Sequence, residues 1–201
     1  RVTHILYSLE VYTPHNGHIG KTASHATTTI SSPLHNIFSR GIFPVTHLHQ
    51  HLGVNMLTFY DNNDFRLFRC NVDKSPQVPS WRASEHHLTV DQAEKIADAG
   101  GYIGAWLPPH YVVVDIDMNH LSKDGERKTS GLESWNELLR EQGIYTDFFK
   151  DTLTVKTGSG GFHLYFTLPS GTDHTTLSQK AVAPSVDIRT HAGYVIAAGT
   201  N

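Results

Sequence analysis

The sequence predicts an α+β fold, an antiparallel sheet with one face covered by a helix, and three stretches carry that prediction. Tyr111–Asp117 is a continuous β-branched run of the kind that is buried on both faces. Residues 132–142 then set Leu132, Trp135, Leu138 and Leu139 on one face of a helix, with Gly143 as its terminator. Two strand pairs follow, 153–166 across the glycine turn Thr157-Gly158-Ser159-Gly160-Gly161 and 186–198 through His191-Ala192-Gly193. Strand, helix, hairpin, hairpin is the order of a sheet with a helix on one side.

Before residue 111 the signals are shorter. Residues 1–40 are dominated by Thr, His, Ser and Gly, and after Ile5-Leu6-Tyr7 they show little apolar periodicity, so they form an unassigned N-terminal extension. Gly17-His18-Ile19-Gly20-Lys21-Thr22 ends like a phosphate-binding loop. His15 stands where the first glycine belongs, however, and residues 23–29 are polar and β-branched rather than helical. From Gly41 the pattern becomes globular, and 41–201 reads as one domain. Residues 42–45 and 65–68 are short strands, whereas Asn55 to Phe68 does not read as a helix with a second acid. Lys74–Trp81 is a Pro-punctuated loop ending on an aromatic anchor. Thr89 then caps a helix that Gly100 stops, with Gln92 at the capping-box position. Residues 121–130 are a charged loop.

Composition excludes several classes. The chain has 201 residues, 16 Lys and Arg against 19 Asp and Glu, and a net charge of −3, so no global positive field draws in a polyanion or a membrane surface. Fifteen histidines form a reserve of positive charge that is mostly silent at neutral pH. Cys70 is alone, which rules out an intrachain disulfide or a Cys-based zinc site and fits a reducing cytoplasm. No apolar run approaches the roughly 18 residues of a membrane helix. Arg1 in place of Met, and a stop at Asn201 directly after an apolar run, predict a domain cut from a longer chain.

Three strands carry polar residues inside apolar frames. Asp115 and Asp117 are one residue apart, so on a strand they share a face while Ile116 points away. A buried pair of carboxylates needs a shared proton or a cation, and hard oxygens suit Mg²⁺ or Mn²⁺. The alternative is a strand that ends near Asp115, with both acids capping a solvated turn with Asn119. The glycine turn frees backbone N–H groups for an anion, with Lys156, Ser159 and His163 as further donors. An ordinary hairpin turn accounts for its glycines but not for His163 inside an apolar strand. Asp187 sits in Val186-Asp187-Ile188-Arg189, where Arg189 shares its face and can pair with it.

Together the Asp-x-Asp of 115–117, the Ser-Gly-Gly-x-His of 159–163 and the apolar-Asp of 186–187 resemble the three motifs of archaeo-eukaryotic primases. More narrowly, they resemble the bifunctional primase-polymerase domain of plasmid and phage replication proteins. The resemblance covers roughly residues 41–198 and includes Phe43-Pro44-Val45, Lys74 and Pro76 before Trp81, Ile103-Gly104 and residues 193–197. It implies an archaeo-eukaryotic primase fold, with a catalytic sheet similar to an RNA-recognition module and an N-terminal α/β module. It implies Asp115, Asp117 and Asp187 as catalytic ligands of a two-metal Mg²⁺ or Mn²⁺ site. Ser159, Gly160, Gly161 and His163 would then hold the incoming dNTP or NTP, joined by Arg189 and Lys74. The partners implied are a single-stranded DNA template and primer, with a helicase fused downstream, in the cytoplasm of a prokaryotic host. Charge −3 does not oppose that: metals would offset three acids, and Arg66, Arg69, Lys74, Arg82, Lys123, Arg127 and Lys128 can form local basic strips.

The chain departs from the family where Ala198-Gly199-Thr200-Asn201 ends it, in place of a Pro-Ser-type turn and more chain. Two rivals stand beside this reading. His47 and His49 alternate on one face as a metal site would, and with Tyr60 as nucleophile they outline a rolling-circle nickase. An inactive relative would instead hold single-stranded nucleic acid by stacking bases on Phe162, Tyr165 and Phe166. Three acids would bring such a binder nothing.

Overall fold

A computed structural model describes residues 43–45, 55–118, 130–173 and 180–200. Ile5–Tyr7, the Gly17–Thr22 segment, His47, His49 and residues 121–129, with Lys123, Arg127 and Lys128, lie outside the described residues. Along the chain run β1 (Phe43–Pro44), α1 (Met56–Asn62), β2 (Arg66–Cys70), α2 (Val90–Asp98), β3 (Tyr102–Trp106), β4 (Tyr111–Ile116), α3 (Gly131–Glu141) and α4 (Phe148–Asp151). They are followed by β5 (Thr154–Lys156), β6 (Phe162–Thr167), β7 (Lys180–Ala183), β8 (Val186–Arg189) and β9 (Tyr194–Ile196). The strands form two antiparallel sheets, so the architecture is α+β. The larger has the order β1-β6-β4-β8-β7, with β5 also paired to β6, and the smaller has the order β2-β3-β9.

The β-branched run at 111–116 is the central strand of the larger sheet, as its two-sided apolarity requires, with β6 on one side and β8 on the other. Its even-numbered residues Val112, Val114 and Ile116 pack with Trp135, Leu138 and Leu139 of α3 and with Phe148, Phe166 and Ile188. Leu132, predicted for the same helix face, is half-buried. The odd-numbered Tyr111 and Val113 enter a second core with Leu57, Phe65, Leu67, Ile103 and Tyr165, which ties the two sheets together. Asp115 is the next residue on this second face, at the point where that core ends.

Elsewhere the local signals are realised closely. Thr89 caps α2, and the reciprocal bonds of a capping box with Gln92 are present. Trp81 is buried against Phe68, with ring centroids 4.4 Å apart. The strand expected at 65–68 is β2, which begins at Arg66 and continues to Cys70.

Two expectations are corrected. Residues 55–68 do contain a helix, α1, capped by the Asn55 side chain, which accepts the Leu57 N–H at 2.9 Å. A helix of seven residues is too short to stand on propensity alone, and this one forms because Leu57, Phe59 and Tyr60 are buried in the second core. Residues 186–189 and 194–198 are not a hairpin. Both edges of β8 are occupied, by β4 and by β7, and the chain leaves it for the smaller sheet, where β9 pairs with β3. No helix among the described residues is long and apolar enough to cross a membrane.

Candidate functional site

Register sets three polar side chains in one row across the larger sheet. Asp115 on β4 stands opposite His163 on β6 and opposite Asp187 on β8. Each sits between apolar neighbours of its own strand, so the anomaly repeats on three adjacent strands at the same level. Arg189, two residues from Asp187 and opposite Val113, lies on the same face.

Arg189 joins the two acids. Its Nε and Nη2 donate to Asp115 Oδ2 at 3.2 and 3.0 Å, and Nη2 also donates to Asp187 Oδ2 at 2.9 Å. The other oxygen of Asp115, Oδ1, lies 3.4 Å from His163 Nε2. Asp115 is 15% exposed, against 36% for Asp187. Burial is the largest influence on the Asp115 carboxyl and pushes its pKa up. His163 and then Arg189 outweigh it, so the net position is below the ordinary carboxylate value. His163 is 7% exposed and its Nδ1 is buried without a hydrogen-bond partner.

Asp117 lies just beyond the end of β4, and its backbone is fixed from both sides. Its N–H donates to Ser185 O at 2.9 Å, and its carbonyl accepts the Gly131 N–H at 2.9 Å. A Cβ on Gly131 would come within 2.4 Å of Asp117 O and 2.5 Å of Ser185 O, so only glycine lets α3 begin there. The turn between β5 and β6 closes through Thr157 N to Gly161 O at 2.8 Å and Gly160 N to Thr157 O at 2.9 Å. Gly160 takes φ +88°, and a Cβ on Gly161 would stand 2.3 Å from Ile116 O, which sets this turn against the end of β4. Ser159 is exposed on that turn, its Oγ 3.1 Å from Thr157 Oγ1.

Lys74 is exposed in a tight loop and adopts φ +68°, a left-handed backbone that is uncommon for a side chain of its size. Its carbonyl accepts the Tyr194 hydroxyl at 3.0 Å. Burial, the largest influence, pushes the Tyr194 phenol up against a smaller pull down from the charge of Arg189. Sequence reasoning missed the roles of Gly131, Ser185 and Tyr194, which hold Asp117 and Lys74 in place. Pro184-Ser185 ahead of an apolar-Asp strand was the available turn signal for one of them.

A cation of the chain itself bears on whether a divalent one would suit these residues. A single nitrogen, Arg189 Nη2, reaches one oxygen of Asp115 and one of Asp187, so both oxygens lie within reach of one positive centre. The donors are carboxylates, the chemistry that Mg²⁺ and Mn²⁺ take. Among the described residues no three His, Cys, Asp or Glu side chains are already gathered as a metal site. The pair can share one positive centre, while the Asp117 backbone is bonded to Ser185 and Gly131.

Tyr60, the candidate nucleophile of the nickase reading, is wholly buried. Its hydroxyl lies 2.8 Å from that of Tyr165 and accepts the Ala198 N–H at 3.2 Å. Burial, the main influence, pushes its pKa up. Tyr165 and Phe166, two of the residues considered for base stacking, are core residues, while Phe162 is half-buried.

The family model of the bifunctional DNA primase/polymerase N-terminal domain matches residues 56–201. The match takes in every site residue described above and excludes β1. No curated protein matches the chain.

Proposed function

The chain belongs to the bifunctional DNA primase/polymerase (Prim-Pol) family, and from that membership and the acid row we propose that it adds nucleotides to a primer 3′-hydroxyl on a single-stranded DNA template. The family is one of nucleotidyltransferases. The reaction forms a bond between the 3′-oxygen and the α-phosphorus and releases pyrophosphate, the proton of the hydroxyl passing to solvent.

Asp115, Asp117 and Asp187 would hold Mg²⁺ or Mn²⁺. When bound, the metal supplies positive charge to the attacking oxygen and to the leaving pyrophosphate. The chain's own residues do the rest. The 157–161 turn, through its remaining N–H groups and Ser159, would offer donors to the phosphates, and His163 would orient Asp115 while adding a donor beside it. Arg189 and Lys74 would meet the outer phosphates from the β8–β9 side. Arg189 is the better matched of the two, because a guanidinium can grip two phosphate oxygens at once.

One observation carries this reading: an Asp, a His and an Asp in register on three adjacent strands, the two acids close enough to share a cation. The nickase reading has no support in a tyrosine enclosed by the core. Primer extension with Mn²⁺ or Mg²⁺ on a templated oligonucleotide tests the proposal. Changing both Asp115→Ala and Asp117→Ala should abolish incorporation, and retained incorporation would overturn it. Metal-independent binding of oligonucleotide with no incorporation by the unaltered protein would favour the binding module.

A further inference from the structure

Two carboxylates facing each other across adjacent strands, one of them mostly buried, are stable only with a positive partner. In this chain the partner is internal. All three donations from Arg189 converge on Asp115 Oδ2 and Asp187 Oδ2. A divalent cation shared between these two carboxylates would compete with the guanidinium for them. The remaining oxygen of Asp115 lies 3.4 Å from His163 Nε2. Arg189 is also 32% exposed, so its guanidinium has a way out of the row towards solvent.

We infer that Arg189 is a built-in counter-cation that competes with divalent metal for Asp115 and Asp187. This rests on the metal-binding reading above and adds a regulatory step to it. In the metal-free protein the guanidinium keeps the acid pair neutralised and the row assembled. Metal loading takes over the two oxygens and releases the guanidinium. By linkage, anything that draws Arg189 away, such as a triphosphate, tightens metal binding, and metal in turn tightens the triphosphate. A lysine in its place could bridge the two oxygens through one ammonium but would lack the second nitrogen that Arg189 sets on Asp115.

The test is Mn²⁺ binding, with no nucleotide or DNA present, to the metal-free protein and to its Arg189→Gln and Arg189→Lys variants, each also followed by thermal melting. Removing three charge-assisted hydrogen bonds that the metal must otherwise displace should tighten Mn²⁺ binding about tenfold in Arg189→Gln. Arg189→Lys should fall between that variant and the unaltered protein. Metal-free Arg189→Gln should melt lower and recover more on adding Mn²⁺. If it does not fold, Arg189→Lys carries the comparison. Mn²⁺ affinity equal to or weaker than that of the unaltered protein in both variants would overturn the competition while leaving the metal site intact. No Mn²⁺ binding by any of the three would instead overturn the metal-site reading, and the competition with it.

Discussion

The two faces of strand β4 are built from one six-residue run and do opposite work. On one, Val112, Val114 and Ile116 are buried in an apolar cluster with Trp135, Leu138 and Leu139 of α3. On the other, Tyr111 and Val113 begin in an apolar core, but the next residue is Asp115, and the row continues sideways into His163 and Asp187. Since side chains alternate strictly along a strand, a slip of one residue would turn Asp115 under α3 and bring an apolar residue into the acid row. The buried face therefore fixes the register on which the acid face depends.

Variants on the helix side separate stability from chemistry. Trp135→Ala should cost about 3–5 kcal/mol by emptying the largest side chain under the sheet. Urea unfolding would show it, and the folded fraction should still bind Mn²⁺. Gly131→Ala sits where the two faces meet. Its new Cβ would press on Asp117 O and Ser185 O, costing about 1–3 kcal/mol. Incorporation by the folded fraction should fall as well, because Asp117 is displaced; equal activity per folded molecule would show that Asp117 needs no such support. Thr89→Ala, far along the chain in the α2 capping box, should cost about 1 kcal/mol and leave incorporation per folded molecule unchanged.

The smallest effect is one of pH. The Asp115 carboxyl titrates below its ordinary value in the folded chain, so the stability it contributes is complete above the unfolded-state value and is lost as pH falls through the folded one. The window lies at and below about pH 4. Metal-free Asp115→Asn should therefore lose stability less steeply there than the unaltered protein when both are melted across a pH series. Equal slopes would mean that His163 and Arg189 lend Asp115 nothing.

Much of this contrast was legible in the residues. A β-branched run predicts a central strand, and the capping signals of α2 and the apolar stripe of α3 are local events whose physics is complete within a dozen residues. Asp115, His163 and Asp187 stood out because a charged or polar group inside an apolar strand is costly without a partner. What was not legible is long-range. α1 exists through its burial, since seven residues are too few to announce or hold a helix by themselves. β3 was obscured by Gly104 in the middle of its five residues. The pairing of β8 with β4 rather than β9 depends on which edges are already taken, and no turn signal at 190–193 carries that. Arg189 was visible as a partner of Asp187, yet its grip on Asp115 follows only once strands 74 residues apart are in register.

Asp187 tests the central claim most directly, because nothing but the fold brings it to Asp115. Templated primer extension with Mn²⁺ should be compared between the unaltered protein and Asp187→Asn, with thermal melts of both. If the three-strand row is the metal-binding centre of a DNA-synthesising enzyme, incorporation should fall at least about a hundredfold, beyond the 10–100-fold typical of groups one step removed from a metal. The folded fraction at the assay temperature should be unchanged. Incorporation retained within a few-fold by a folded Asp187→Asn would contradict the account.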